Sequence, residues 1–384
     1  MYSVGLVGAY STKYESRSSK SSWELLKEAV EGVLGSVDNG IDGGEIDYII
    51  VTNFSDRFTG LIHAAPLVAS WIKARSARGF RVESACAAGG VGLYLAYTLL
   101  KTGVAKNVLV AGFEKMSIQP SSEEANEVLA MASHPNEIIA GATFVSLYAL
   151  IARSYMERYG AGEEDLALVA VKNHENALRN PLAQFRRRIS VEDVMKSPYV
   201  ATPLKLYDCS PLTDGAAAVI LSREPRRYTD TPVYIAGAGM GFDEPSVYGR
   251  SDLTALKAVR EACSQALKSA DQDVRGIDFF EVHDCFTIAE IIVYEMLGLA
   301  GRGEGYKLLR DQATFFHGEK PVNPSGGLKA KGHPIGATGV GMACEAYWQL
   351  RGEAGERQVR GAEKGLMENH GGSGGSSVVI LFVR

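Results

Sequence analysis

Apolar positions along the chain follow two rhythms that alternate. Short apolar runs at Val4 to Val7, Tyr48 to Val51, Phe80 to Val82, Val108 to Gly112, Gly215 to Leu221, Val233 to Ala236, Phe279 to Val282 and Val378 to Leu381 read as strands. Between them lie segments of helical spacing: Trp23 to Leu34, Val91 to Leu100, Thr143 to Tyr159, Glu163 to Leu178, Leu253 to Leu267, Ile288 to Leu297 and Val340 to Leu350. Strands interleaved with helices predict an α/β protein whose mixed or parallel sheets are covered by helices.

The pattern also repeats. Val4-Gly5-Leu6-Val7-Gly8-Ala9 matches Val233-Tyr234-Ile235-Ala236-Gly237-Ala238 at an offset of 229, and Ile46-Asp47-Tyr48 matches Ile277-Asp278-Phe279 at 231. Near the ends, Gly215 to Leu221 matches Gly375 to Leu381, but at an offset of 160. The chain thus reads as two halves, 1–228 and 229–384, the first carrying roughly seventy extra residues after its strand Val108 to Gly112. The insertion, about 114–208, holds two helical stretches and the basic run Arg186-Arg187-Arg188, and predicts a lid or binding subdomain. The junction between halves falls near Arg223 to Arg227.

Composition narrows the class. Of 384 residues, 46% are hydrophobic and 22% charged, as in a soluble globular protein, and a net charge of −5 gives no reason to expect nucleic-acid binding. The five cysteines are widely spaced and none sits in a C-x-x-C pair, so neither a disulfide framework nor a metal site is suggested. The chain opens on strand-like residues without a basic, apolar leader, and no apolar run approaches the ~20 residues of a membrane span. A cytoplasmic protein without membrane attachment is expected.

Against this background four segments carry chemistry. Cys86 lies in E-S-A-C-A-A-G-G, Glu83 to Gly90, between a strand and a helix, where unpaired N–H groups and the helix dipole favour a thiolate and small neighbours leave room for a substrate. His283-Asp284-Cys285-Phe286 follows a strand at the end where open α/β sheets bind ligands, although taken alone it also reads as a helix-capping Asp284 beside incidental neighbours. Asn323 to Gly339, N-P-S-G-G-L-K-A-K-G-H-P-I-G-A-T-G, mounts His333 rigidly between Gly332 and Pro334, and its spacing matches neither common phosphate-loop pattern. Asn369 to Gly375 is glycine-rich ahead of the last strand, which lets backbone N–H groups point at a developing oxyanion. Cys263 and Cys344 fall on helical faces as packing residues, while His134, His174 and His370 show no partner pattern.

These segments, in this order and with the D-G-A-A-A-V strand after the insertion, resemble the thiolases along essentially the whole chain. H-D-C-F resembles the sterol-carrier-protein-type branch, where most thiolases have N-E-A-F, and G-A-T-F (Gly141 to Phe144), V-K-N-H (Val171 to His174) and D-C-S-P (Asp208 to Pro211) are similar to archaeal acetyl-CoA acetyltransferases. The resemblance implies a five-layered αβαβα core from two duplicated halves with a loop domain inserted in the first.

It also implies roles. Cys86 would carry the acyl group, His333 would take the Cys86 proton, and His283 would join His333 in holding a thioester oxygen. The backbone N–H groups of Cys86 and Gly371 would form a second oxyanion hole. Asn369 stands where most thiolases have a second, C-x-G cysteine, so the acid/base role passes to Cys285. Ser210 matches a residue that contacts the pantetheine arm, and Arg186, Arg187 and Arg188 face either the adenosine phosphates or solvent. The implied reaction interconverts two acetyl-CoA with acetoacetyl-CoA plus CoA, without a cofactor, in a homodimer or homotetramer. By analogy it implies an assembly with hydroxymethylglutaryl-CoA synthase, as in mevalonate synthesis, and a small OB-fold protein. Two rivals share these residues: a ketoacyl-synthase-like decarboxylating enzyme using Cys86, His283 and His333, and a non-catalytic scaffold that keeps a CoA-ester pocket.

Overall fold

The computed structural model describes residues 2–384. Its strands are β1 (Gly5–Ser11), β2 (Tyr48–Thr52), β3 (Arg78–Val82), β4 (Asn107–Lys115), β5 (Tyr199–Ala201), β6 (Leu204–Lys205), β7 (Asp214–Ser222), β8 (Val233–Phe242), β9 (Phe279–Glu281), β10 (Lys364–Gly371) and β11 (Ser376–Val383). β5 and β6 form a small hairpin, and the other nine run in the order β3-β2-β4-β7-β1-β8-β11-β10-β9. The duplication is visible in this order. In the first half β3, β2 and β4 are parallel and β7 and β1 follow antiparallel. In the second, β9 and β10 are parallel, β11 and β8 follow antiparallel, and Val322 bridges Phe280 in parallel where β3 stands in the first half.

Helices Ala88–Lys101 and Ile335–Arg351 pack on each other and on strands from both halves, which makes them the middle layer. Ser22–Gly35 and Ala64–Trp71 cover the outer face of the first half, and Lys257–Ala270 covers β8 and β11. The layers therefore run helix, sheet, helix, sheet, helix. The two halves also meet at one edge, where β1 and β8 pair only through Gly5 with Tyr234 and Leu6 with Val233. A helix flanked by sheets on both sides must be apolar all round, and Ile335–Arg351 is buried on nearly every face.

The middle helices cross backbone to backbone. A Cβ on Gly89 would come within 2.8 Å of the Gly339 nitrogen, and one on Gly339 within 2.3 Å of the Gly90 nitrogen. Both distances exclude a side chain, so this crossing requires glycine.

Two helix starts differ from the sequence expectation. The helix expected from Leu253 begins at Lys257, because Asp252 Oδ1 accepts from both the backbone N–H (2.9 Å) and the hydroxyl (2.7 Å) of Thr254 and holds the preceding residues in a turn. The helix expected from Val340 begins earlier, at Ile335, directly after Pro334.

Residues 116–213 connect β4 to β7, whereas only 372–375 connect β10 to β11. The long connection carries helices Phe144–Tyr159 and Glu163–Ala177. The second of these is fastened to the second half. Lys172 and Glu290 form a fully buried ion pair at 2.5 Å, and Asn173 Nδ2 donates to Glu290 (2.8 Å) and Asp284 (2.7 Å). Asn176 Nδ2 donates to the Asn323 carbonyl at 2.9 Å. This part of the insertion, expected to be a lid or binding subdomain, packs as a wall of the second half. Among the described residues no helix is long and apolar enough to cross a membrane.

Candidate active site

Cys86 lies between β3 and the helix Ala88–Lys101, and the chain reaches it through Ala85 in the left-handed region at φ 48°. Such a backbone is costly for a residue with a Cβ, and here it turns the sulfur off the end of the sheet. Cys86 meets His283, which follows β9, and His333, which precedes the other middle helix. The Cys86 sulfur and one ring nitrogen of each histidine lie within 4.8 Å of one another. The two imidazoles stand edge to face with centroids 5.0 Å apart. A second cluster shares one member: a ring nitrogen of His283, the Cys285 sulfur and a ring nitrogen of His370 also lie within 4.8 Å of one another. The fold thus gathers Cys86, His283, Cys285 and His333, which are up to 247 positions apart in the chain, in one small volume.

The electrostatics correct one expectation. Burial pushes the Cys86 thiol up to about 12; the N–H groups of Gly372 and of Cys86 itself pull the other way, and the carboxyls of Glu114 and Glu83 add to the rise. The resting group is the protonated thiol, where the helix start had suggested a thiolate. The Gly372 N–H also faces the sulfur, and the neighbouring Gly371, expected in the oxyanion hole, packs its Cα so close to the Ser84 carbonyl that a Cβ would sit 2.6 Å from it. Burial, reinforced by His370, lowers His333 to about 3, so its imidazole is neutral. Burial and the neighbouring His370 and His333 likewise hold His283 well below its usual value. Burial and the nearby Cys86 push the Cys285 thiol well up, while a hydrogen bond from Tyr148 opposes this.

The proton on each catalytic-volume imidazole follows from its partner. His333 Nδ1 lies 2.7 Å from the Thr338 hydroxyl, which itself donates to the Pro334 carbonyl at 3.1 Å. With its one proton spent, that hydroxyl accepts from Nδ1–H, and His333 Nε2 carries a lone pair. The His333 backbone N–H donates to Thr213 Oγ1 at 2.9 Å, which fixes the loop below the ring. His283 Nδ1 lies 3.0 Å from Asn369 Nδ2, and its Nε2 is buried without a partner.

Supporting residues were not legible in the sequence. Asp284 does not cap the following helix, whose N-cap is Phe286; its carboxylate accepts from the backbone N–H groups of Leu328 (2.6 Å) and Lys329 (3.1 Å) and so holds the turn that leads to His333. Glu114, fully buried at the end of β4, accepts from the N–H groups of Phe54 (2.7 Å) and Gly336 (3.0 Å), and burial raises its carboxyl to about 8. Tyr148 stacks on Phe286 at 4.5 Å, and its hydroxyl lies 3.1 Å from His370 Nε2. His370 Nδ1 in turn lies 3.1 Å from Glu368. The Tyr148 hydroxyl also donates to the Gly372 carbonyl at 3.2 Å, so a chain Tyr148, His370, Glu368 runs into the core. Only the unusual pair Asn369-His370 hinted at it.

The expected CoA contacts fall in two places. Ser210 donates its N–H to the Cys285 carbonyl at 2.9 Å, so D-C-S-P backs H-D-C-F directly. Arg186, Arg187 and Arg188 are exposed. Arg187 donates to the Tyr207 hydroxyl (2.7 Å) and Arg188 pairs with Glu175 (2.8 Å). Arg186 donates to the Leu178 carbonyl at 3.0 Å. Cys263 and Cys344 are buried packing residues on helices.

Comparison with known proteins places this geometry. Residues 4–225 match the family described as "Thiolase, N-terminal domain" and residues 239–384 match "Thiolase C-terminal domain-like". The chain is 43% identical to an acetyl-CoA acetyltransferase of Methanothermobacter thermautotrophicus, with all of both chains covered. It is 38% identical to one of Methanocaldococcus jannaschii, covering 100% of this chain and 99% of that one. Human sterol carrier protein 2 is 36% identical over 78% of this chain and 57% of its own. Among solved structures, the Ltp2-ChsH2(DUF35) aldolase matches with a TM-score of 0.84 at 24% identity over 99% of this chain and 97% of that one. Human mitochondrial 3-ketoacyl-CoA thiolase matches at 0.78 and 17% identity, over 100% and 98%. These two likenesses concern the fold.

Proposed function

Since the chain belongs to the thiolase family and is an acyltransferase, we propose that it interconverts two acetyl-CoA with acetoacetyl-CoA plus CoA through an acyl group on Cys86. The observation that carries this reading is the meeting of Cys86, His283 and His333 within 4.8 Å, with Cys285 in the overlapping cluster. A buried thiol held as S–H needs a base at the moment of attack, and the His333 Nε2 lone pair supplies it. The sulfur attacks the thioester carbonyl, its proton passes to His333, and CoA leaves as a thiol carrying the proton of Cys285, which becomes a thiolate. The backbone N–H groups of Cys86 and Gly371 serve the acyl-enzyme carbonyl, with that of Gly372 beside them.

In the second half-reaction Cys285 removes a proton from the methyl carbon of a second acetyl-CoA. Its thioester oxygen gains charge beside His283 and His333, and the carbanion attacks the acyl carbon and expels Cys86, which recovers its proton from His333. Ser210 lies beside the pantetheine arm in this reading, and Arg186, Arg187 and Arg188 lie along the outer course of CoA. The relatives' names support acetyl as the acyl group, and the chemistry runs on the chain's own thiols and imidazoles without a cofactor. A homodimer or homotetramer, a cytoplasmic location and an assembly with hydroxymethylglutaryl-CoA synthase and a small OB-fold protein belong to the same proposal.

Incubation with acetyl-CoA alone and with malonyl-CoA, while following CoA release and product mass, tests it. Acetoacetyl-CoA from acetyl-CoA alone is expected. Product only from malonyl-CoA replaces this reading with a decarboxylating synthase, and CoA-ester binding without product replaces it with a scaffold.

A further inference from the structure

Asn369 lies near the end of β10 in the second half's sheet, fully buried, with its amide against the crossing of the two central helices. Three contacts saturate that amide. Its Oδ1 accepts from the Gly90 backbone N–H at 2.9 Å, and its Nδ2 lies 3.0 Å from the Cys86 carbonyl oxygen and 3.0 Å from His283 Nδ1. The orientation of the amide is settled twice over. Gly90 N–H only donates, so it must meet the oxygen; the Cys86 carbonyl only accepts, so it must meet the NH2 group. Nor can the group move away, since Gly90 and Gly339 crowd it so closely that a Cβ on either would lie 3.0 Å or 2.4 Å from Oδ1.

One NH2 hydrogen therefore points at His283 Nδ1, which must offer a lone pair. A neutral imidazole has one proton, and with Nδ1 bare it resides on Nε2, the atom that is buried without any partner in the protein. We propose that Asn369 is a positioning residue that fixes His283 as the Nε2–H tautomer, keeping one unspent donor in the volume shared with Cys86 and His333. The consequence for catalysis rests on the thiolase reading above: a neutral N–H donor waits for the thioester oxygen as it becomes an enolate. The residue that displaces the usual cysteine then has its own task, opposite to that of Thr338, which leaves His333 with a lone pair. One ring is set to give a hydrogen bond and the other to take a proton.

The test is two-bond proton–nitrogen NMR on the full-length protein labelled with 15N-histidine, without substrate and near neutral pH, with His283→Ala used to assign the His283 signals. Nδ1 should resonate as an unprotonated ring nitrogen and Nε2 as a protonated one. In Asn369→Asp, whose carboxylate only accepts, Nδ1 should become protonated, and kcat for condensation should fall by ~10²–10³-fold, as for a lost oxyanion donor, with little change in KM. A wild-type spectrum with Nδ1 protonated overturns the proposal, as does an Asn369→Asp spectrum in which His283 is unmoved; if that variant does not fold, the wild-type spectrum decides alone. The expected tautomer in a protein that forms no acetoacetyl-CoA upholds the role of Asn369 and refutes the thiolase reading instead.

Discussion

The carboxylate of Asp284 accepts a 2.6 Å hydrogen bond from the backbone N–H of Leu328, forty-four residues later. That bond ties the segment carrying His283 and Cys285 to the turn that delivers His333. Gly327, at φ 59°, is pressed so near this carboxylate that a Cβ would sit 2.4 Å from Oδ2. The two histidines are therefore positioned by one shared contact, and a change at 284 reaches both. Asp284→Ala should slow acylation and condensation together by displacing His333 and Cys285, and should lower stability by about 1–3 kcal/mol through the two unpaired N–H groups it leaves. Urea unfolding beside the two half-reaction rates checks this; unchanged rates in a destabilised protein would show that the turn holds without Asp284.

Cys86→Ala should abolish labelling by acetoacetyl-CoA. Mass spectrometry after brief exposure should find an acetyl group on the Cys86 peptide of the wild type and on no cysteine of the variant. Labelling that survives the substitution assigns the acyl group elsewhere.

Cys285→Ala should separate the half-reactions. Acetylation of Cys86 should remain measurable, while condensation and thiolysis fall by ~10²–10⁴-fold, the usual loss with a positioned acid or base. Tyr148→Phe should share the direction of this effect, because it removes the hydroxyl that opposes the rise of the Cys285 thiol. Undiminished condensation in Cys285→Ala sends the search for the carbon base elsewhere.

Acid should destabilise the fold through buried neutral imidazoles. Burial and the nearby Lys329 ammonium lower His174 to about 4 from 6.5. Between those values the unfolded chain takes up a proton that the folded chain refuses, so this contribution is complete above pH 6.5 and is lost as pH falls toward 4. In His174→Gln, an amide replaces the imidazole whose Nδ1 lies 3.2 Å from the Arg187 carbonyl, and the acid loss should shrink by up to about 1.4 kcal/mol per pH unit across that window. Denaturant midpoints at stepped pH measure it, and parallel profiles for variant and wild type would contradict it.

Lys172→Met should cost about 3–5 kcal/mol, since it leaves the Glu290 carboxylate buried without its cation. Replacing the pair together with Met and Gln should cost less than the single change. A thermal unfolding comparison in which the double variant is the less stable would refute this.

Cys86 was legible because strand, small residues and helix are contiguous around it, and His333 because its glycines and proline are local. The duplication was legible because matched strands recur in the same order. What escaped are groups defined by distant partners. Asn369 meets Cys86 and Gly90 across about 280 positions, and Tyr148 meets His370 across 222. Asp284 read as a cap because a carboxylate before a helix usually is one; here the nearest unpaired N–H groups belong to another loop. The reversal at Cys86 has the same origin: a helix start is visible in sequence, whereas the depth of burial that outweighs it is not.

The crossing at Gly89, Gly90 and Gly339 bears on how such chains can be recombined. Neither half holds a whole site: Cys86 comes from the first, His283, Cys285, His333 and Asn369 from the second, and the hydrogen-bonded edge between them is two residue pairs long. A hybrid built by joining the first half of one relative to the second half of another must therefore preserve a backbone-to-backbone seam with no tolerance for a single methyl group. A mismatch there is passed to the Asn369 amide and from it to the His283 ring, so a hybrid can be fully folded and still have lost its donor.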